Sequence, residues 1–294
     1  MIDIPLGDWV ENGVDWLSEN ASGFFNGLTV GIDSMVTSLE TVLLFPPDYL
    51  TIVILAIIAY LMNSKGRKVF TKAAWKAGGG IAIFTVLGLL LLHMMGYWEE
   101  TMQTIALILV SAIIALAIGI PLGVWASRNN AVDHIIRPIL DFMQTLPPFV
   151  YLIPAIIFFS VGNVPGVVAT IVFALPPAVR LTNLGIRNVQ QDVVEASQAF
   201  GCTKRQLLFK VQIPLAKPTI LAGVNQVIML ALSMVVIASM VGAGGLGQSV
   251  YRGILQADMG LGFEAGLGIV ILAIFLDRVT QALGISRKQV SEEE

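Results

Sequence analysis

The chain has 294 residues, 56% of them hydrophobic and 13% charged, with a mean hydropathy of +0.81. Soluble domains carry roughly 25% charge, so this chain lacks the polar surface to be solvated all round, which excludes a soluble enzyme, a disordered chain and a secreted disulfide scaffold. The net charge of −3 says little as a total, and the single cysteine, Cys202, has no internal disulfide partner.

The first 62 residues hold no Lys or Arg but eight acidic residues, from Asp3 to Asp48. They lack the basic start and early apolar core of a signal or transit peptide. Phe25, Leu28, Ile32, Met35, Val36, Leu39 and Val42 recur at helical spacing, with Asp33, Ser34 and Glu40 between them. That pattern predicts a helix lying in the membrane interface, or one packed on the protein's own outer face. Long apolar runs then predict about seven spans: Tyr49–Met62, Ala77–Trp98, Met102–Trp125, Leu140–Val161, Pro165–Ile186, Thr219–Val241 and Leu261–Ala282. Runs such as Ile105–Trp125, without a charge, suffice to cross a hydrocarbon layer of about 30 Å as helices. Pro46 and Pro47 bound the first, and Gly162-Asn163-Val164 predicts a tight turn between antiparallel fourth and fifth spans. The loop after the first span holds Lys65, Arg67, Lys68, Lys72 and Lys76. With an odd number of spans, an outer N-terminus and a cytoplasmic C-terminus put every basic residue but Arg252 on the inner side, as positive-inside topology requires.

The chain holds no G-x-x-x-x-G-K-[S/T] loop for ATP, no H-E-x-x-H for zinc and no G-x-S-x-G nucleophile. Gly242-Ala-Gly-Gly-Leu-Gly247 does not match a dinucleotide fingerprint and reads as a flexible reentrant turn. His93, near Tyr97 and Trp98, reads as an interfacial residue. No cofactor, metal or nucleic acid is expected as a partner, and no membrane enzyme is supported. Ionisable residues cluster at span ends: Arg137 and Asp141 are spaced to pair on one helical face, and Arg180, Asp277 and Arg278 lie near the cytoplasmic boundary. An ion-coupled carrier or channel, the alternative class, has only Asn225 and Gln226 in its favour. Gly119 and Gly123 form a G-x-x-x-G face for close helix approach. Pro147, Pro148, Pro154, Pro176 and Pro177 predict kinked spans that line a cavity or pack on neighbours.

The longest inner loop, Arg187–Pro214, reads as two short helices around a turn. Asp192 and Glu195 are spaced as a capping pair, Gly201 ends the first helix, and Thr203 with Gln206 forms a capping box for the second. Pro214 and Pro218 are expected to end that helix before the chain re-enters the membrane. So ordered a loop is built to dock against a partner.

Glu195-Ala196-Ser197, three residues, Gly201, nine residues and Val211-Gln-Ile-Pro214 is similar to the EAA loop of ABC importer permeases, E-A-A, three residues, G, nine residues, I-x-L-P. Ser, Val and Ile replace family residues, while the spacing of Glu, Gly and Pro is kept. Gln144–Pro154, Ala174–Asn183 and Ala238–Gly247 resemble glycine betaine/proline betaine permeases, and the likeness runs over roughly residues 100–282. The resemblance implies an all-α polytopic membrane protein. Its layout is an outer or interfacial segment over 1–48, two additional spans over 49–98, a five-helix ABC type I core over 100–282 and a cytoplasmic tail over 283–294. It further implies a homodimer in the membrane, two cytoplasmic ABC ATPases that carry out all ATP hydrolysis, and an external substrate-binding protein. Glu195, Ala196, Gly201 and Pro214 then shape the coupling hairpin, and Thr203, Lys204 and Arg205 touch the ATPase. On local grounds alone, Glu195 reads equally as a helix cap and Lys204 and Arg205 as positive-inside charge. Cargo is a quaternary ammonium solute by resemblance only: glycine betaine, proline betaine, choline and carnitine stay open, because the aromatic cage for such cations belongs to the binding protein.

Overall fold

A computed structural model of the protein describes residues 5–64 and 72–284, and every element in them is a helix. Lys65, Arg67 and Lys68, with most of the C-terminal tail, lie outside the described residues. In chain order come α1 (Leu6–Asn20), α2 (Ser22–Leu44), α3 (Asp48–Asn63), α4 (Lys72–Met94), α5 (Trp98–Arg128), α6 (Asn130–Thr145), α7 (Pro148–Phe159), α8 (Asn163–Arg187) and α9 (Gln191–Ala199). After them come α10 (Lys204–Gln206), a π-helical turn (Leu207–Gln212), α11 (Ile213–Ser239), α12 (Leu246–Gln256) and α13 (Met259–Gly284). By length and composition, Ser22–Leu44, Trp98–Arg128, Asn163–Arg187, Lys204–Ser239 and Met259–Ala282 suffice to cross a membrane. The seven apolar runs all fall on helices, and Pro46-Pro47 separates α2 from α3 as expected.

The centre is a seam of small residues. A Cβ built on Gly119 would lie 2.5 Å from Ala178 Cβ, and one on Gly123 would lie 2.6 Å from Thr182 Cβ. Both pairs climb together in number, so α5 and α8 run parallel with backbones in close approach. α8 also packs on α11: Gly166 meets Ala238, Gly185 meets Ala216 and Thr219, and Gly223 meets Leu181, all within 3.0–3.3 Å of a built Cβ. These contacts lay α11 antiparallel to α8 along its whole length. The G-x-x-x-G spacing read from the sequence is therefore the packing face of the core.

The expected fourth span is not one helix. α6 and α7 meet at 99° across Leu146 and Pro147. The residue before a proline is pushed out of the helical region, and Leu146 is extended at ψ 134°, with Pro147 following at ψ 136°. The expected pairing of Arg137 with Asp141 is also corrected. Arg137 donates back to Asp133 (Nε to Oδ1, 3.0 Å), and Asp141 pairs with Arg180 on α8. Both neighbours of Arg137 sit four residues away. Asp133 wins because it is buried against α8, where Asn183 Nδ2 (2.7 Å) and Arg187 also reach it. The turn before α8 sits slightly earlier than expected, at Ser160–Gly162.

The bundle has two ends: the far end, where α5 and α8 begin, and the hairpin end, where α9 and α10 project. α2 packs against α5 and α7. Phe25 stacks on Phe158 at 4.4 Å in the last turn of α7, whereas Glu40 accepts from Gln103 Nε2 at 3.0 Å near the start of α5. Between those points α2 also meets α5 further along, with Ser34, Met35, Ser38 and Leu39 beside Val110 and Ile113. Ile32 and Val36 are its buried face; protein receives that side, while Phe24, Val30 and Val42 stay exposed.

Candidate functional site

The hairpin is determined locally. α9 ends in a complete Schellman motif: Cys202 N–H donates to Ser197 O (3.1 Å), Gly201 N–H donates to Gln198 O (2.9 Å), and Gly201 stands at φ +79°. This is the left-handed conformation that glycine adopts without penalty. Two residues later the capping box forms as read: Gln206 N–H donates to Thr203 Oγ1 (3.3 Å) and Thr203 N–H to Gln206 Oε1 (2.9 Å). Between the two caps the chain reverses.

Asp192 and Glu195 form no cap, which corrects the sequence reading. Gln190 opens α9 without a side-chain bond, and Glu195 instead accepts from Gln191 Nε2 at 3.1 Å. Glu195, Ala196, Gly201, Thr203, Lys204 and Arg205 are all exposed, so their outward surface is unclaimed by this chain. Phe200, 89% exposed at the tip, is an aromatic knob that the motif reading passed over. A large apolar side chain in a polar turn was the signal. At the base, Leu208 packs with Ile186 and Ala216, tying the hairpin to the ends of α8 and α11.

Pro214 and Pro218 do not end the second helix. Lys204–Ser239 is one continuous rod of 36 residues, about 50 Å long at 1.5 Å per residue. The π-helical turn over Leu207–Gln212 makes this possible, with Ile213 N–H donating to Leu208 O. Proline in an α-helix clashes with the carbonyl four residues back and lacks its own N–H. A wider turn just before Pro214 accommodates both defects without breaking the rod. The second arm of the hairpin and the expected sixth span are therefore one continuous helix, which the proline spacing concealed.

Several polar side chains inside the bundle are paired across helices. Asn225 Nδ2 donates to Asp277 Oδ1 at 3.0 Å and Asn225 Oδ1 accepts from Thr280, joining α11 to α13. Arg187 also donates to Ala126 O at 2.8 Å, and a cavity of about 530 Å³ between α6 and α8 is lined by Asp133, Arg137, Asp141, Arg180 and Arg187. His93 sits beside Asp48 (3.3 Å) and edge-on to Trp98, as an end-of-helix residue should. The glycine segment 242–247 is a turn leading into α12, fixed by bonds to α5 and α8.

A family model described as "Binding-protein-dependent transport system inner membrane component" matches residues 119–286. The chain is 50% identical over 285 residues to the glycine betaine transport system permease protein OpuAB of Bacillus subtilis, covering 97% of this chain and 96% of the relative. It is 49% identical over 281 residues to the glycine betaine/proline betaine transport system permease protein ProW of Escherichia coli, covering 96% and 75%. Among solved structures, an inward-facing form of the MetNI methionine ABC transporter aligns at a TM-score of 0.55 and 25% identity, over 61% of this chain and 92% of that one. With the small-residue core, the exposed hairpin and likeness along nearly the whole chain in agreement, the protein belongs to the binding-protein-dependent inner membrane components, the permease subunits of ABC importers.

Proposed function

We propose that the chain carries glycine betaine and related quaternary ammonium osmoprotectants across the cell membrane, driven by a cytoplasmic ATPase that grips the hairpin over residues 192–214. The observation that carries this reading is the hairpin itself. It is capped at both turns, exposed on its outward face and continuous with a rod that runs the length of the bundle. In this reading Thr203, Lys204 and Arg205 contact the ATPase, Phe200 fills an apolar pocket on it, and Glu195, Ala196, Gly201 and Pro214 set the hairpin's shape. Hydrolysis belongs to the ATPase, and solute arrives from an external binding protein. Residues 1–48 are the outer segment, 49–98 two additional spans, 100–282 the core and 283–294 the tail. Co-purification with the ATPase and binding protein, followed by a solute-stimulated ATPase assay in liposomes, tests the reading. Stimulation by glycine betaine, and a weaker response to choline or carnitine, is the expected result; an unresponsive ATPase removes it.

The hairpin end is the cytoplasmic end in this proposal. Arg128, Arg137, Arg187, Lys204, Arg205 and Arg278 sit towards it, and Arg252 on α12 towards the other, which supports an outer N-terminus. A cysteine introduced as Ser18→Cys should be labelled by an impermeant thiol reagent added outside, and native Cys202 should not. The reverse pattern inverts the topology.

A five-helix core closes no path by itself, and two-fold symmetry is the commonest way for a chain to complete one. The complex is therefore expected to contain two permease chains and two ATPases. Native mass spectrometry that finds a single permease copy, or a second and different permease, overturns the homodimer.

A further inference from the structure

Beyond Ser239 the chain leaves the rod through Met240–Gly245 and enters α12. Three successive backbone N–H groups there are each taken by a side chain of another helix. Gly244 donates to Asn163 Oδ1 at 3.0 Å, Gly245 to Gln103 Oε1 at 3.0 Å and Leu246 to Thr104 Oγ1 at 2.8 Å. Gln103 and Thr104 stand in the first turns of α5, and Asn163 opens α8. The other face is held as well, since Gly162 N–H donates to Val241 O at 2.9 Å. The glycines are shaped to this clamp. Gly242 and Gly245 have φ of +93° and +87°, and a Cβ on Gly245 would stand 2.5 Å from Thr104 Oγ1.

Gly245 and Leu246 are buried, so their N–H groups need protein acceptors. All three acceptors come from the opening turns of α5 and α8 and none from the segment itself, which ties its position to those two helices. The segment also lies at the end of the rod opposite the hairpin, and the rod is packed tightly on α8 between the two. We propose that Gln103, Thr104 and Asn163 are positioning residues for coupled transport. They join the far end of the rod to α5 and α8, so that displacement of the hairpin arrives undiminished at the face that receives the solute-loaded binding protein. The inference rests on the reading that the hairpin docks on the ATPase. Without the clamp, the segment can lag behind the rod, and the two ends lose their correspondence. Coupling is reciprocal, so the binding protein's influence on the ATPase depends on the same three bonds.

The test uses the complete complex of permease, ATPase and binding protein in liposomes. The double variant Gln103→Leu with Thr104→Val removes two acceptors, whereas Thr104→Ser and Asn163→Asp each keep an oxygen in place. The double variant is expected to hold the ATPase as tightly as the parent and to keep its basal hydrolysis. Its stimulation by loaded binding protein should fall about fivefold or more, the lower bound of typical coupling between sites. The two conservative variants should retain stimulation. Full stimulation in the double variant overturns the proposal. So does an equal loss in Thr104→Ser, or a parallel fall in ATPase co-purification, which would mark a general folding defect. Absence of the ATPase from the parent complex strikes instead at the docking reading beneath it.

Discussion

Gly201→Asp is expected to give a fully inserted permease that no longer holds its ATPase. Nothing stands within 4 Å of a Cβ built at Gly201, so space is no obstacle. The obstacle is the backbone, because φ is +79° and a residue with a Cβ costs roughly 1–2 kcal/mol there. An aspartate at the C-terminus of α9 also faces the negative end of the helix dipole, at about 0.3–1 kcal/mol. Either the Schellman bonds to Ser197 and Gln198 open, or the hairpin tip reorients; both misplace Phe200 and Thr203 relative to each other. Together the two terms correspond to roughly tenfold or more in affinity. No span is touched, and insertion depends on apolar spans, so membrane levels should match the parent. Pull-down of the ATPase and solute uptake should both collapse, and Gly201→Asn, which tolerates the left-handed region and adds no charge, should be milder. If the Asp variant transports normally with its ATPase bound, the loop is an ordinary connector.

Gly123→Leu should have the largest effect on folding. A Cβ there would stand 2.6 Å from both Thr182 Cβ and Val179 O. One of those atoms is backbone and cannot rotate aside. α5 and α8 would have to separate, and the loss would spread along the seam to Gly119 and Ala178. Overpacking a tight interior costs about 1–3 kcal/mol before any rearrangement, and the separated helices lose further contacts. The variant is expected to elute as aggregate in mild detergent. Gly80→Ala is the control: nothing lies within 4 Å of its Cβ, and alanine favours a helix by up to about 1 kcal/mol. A Gly123→Leu permease that melts with the parent would show that the seam is not what holds the core.

The sequence made legible whatever is set by neighbours in the chain. Apolar runs marked helices, Pro46-Pro47 the break before α3, and Thr203 with Gln206 the cap that forms. Where a local signal had two outcomes, tertiary context chose. Arg137 had a carboxylate four residues away on either side, and burial of Asp133 beside Asn183 and Arg187 decided between them. Pro147-Pro148 predicted a kink, and the chain makes a 99° bend, because α6 turns its charged stripe towards α8. Pro214 predicted a helix end, and a π turn carried the helix through. The clamp on Gly244–Leu246 was out of reach: two of its three acceptors are 142 residues distant, and no periodicity records such a pairing.

Much of the seam is built from residues without rotamers. Glycine and alanine surrender essentially no side-chain entropy on burial, so Gly119, Gly123, Gly166, Ala178 and Ala238 hold α5, α8 and α11 together at little entropic cost. The same poverty removes any gradual way to deform. A contact between long side chains yields by exchanging rotamers one at a time, whereas backbone lying on backbone is either seated or apart. Three helices joined in this way respond to a push by turning as one piece. A carrier assembled from such pieces is expected to move in discrete strokes rather than by gradual bending.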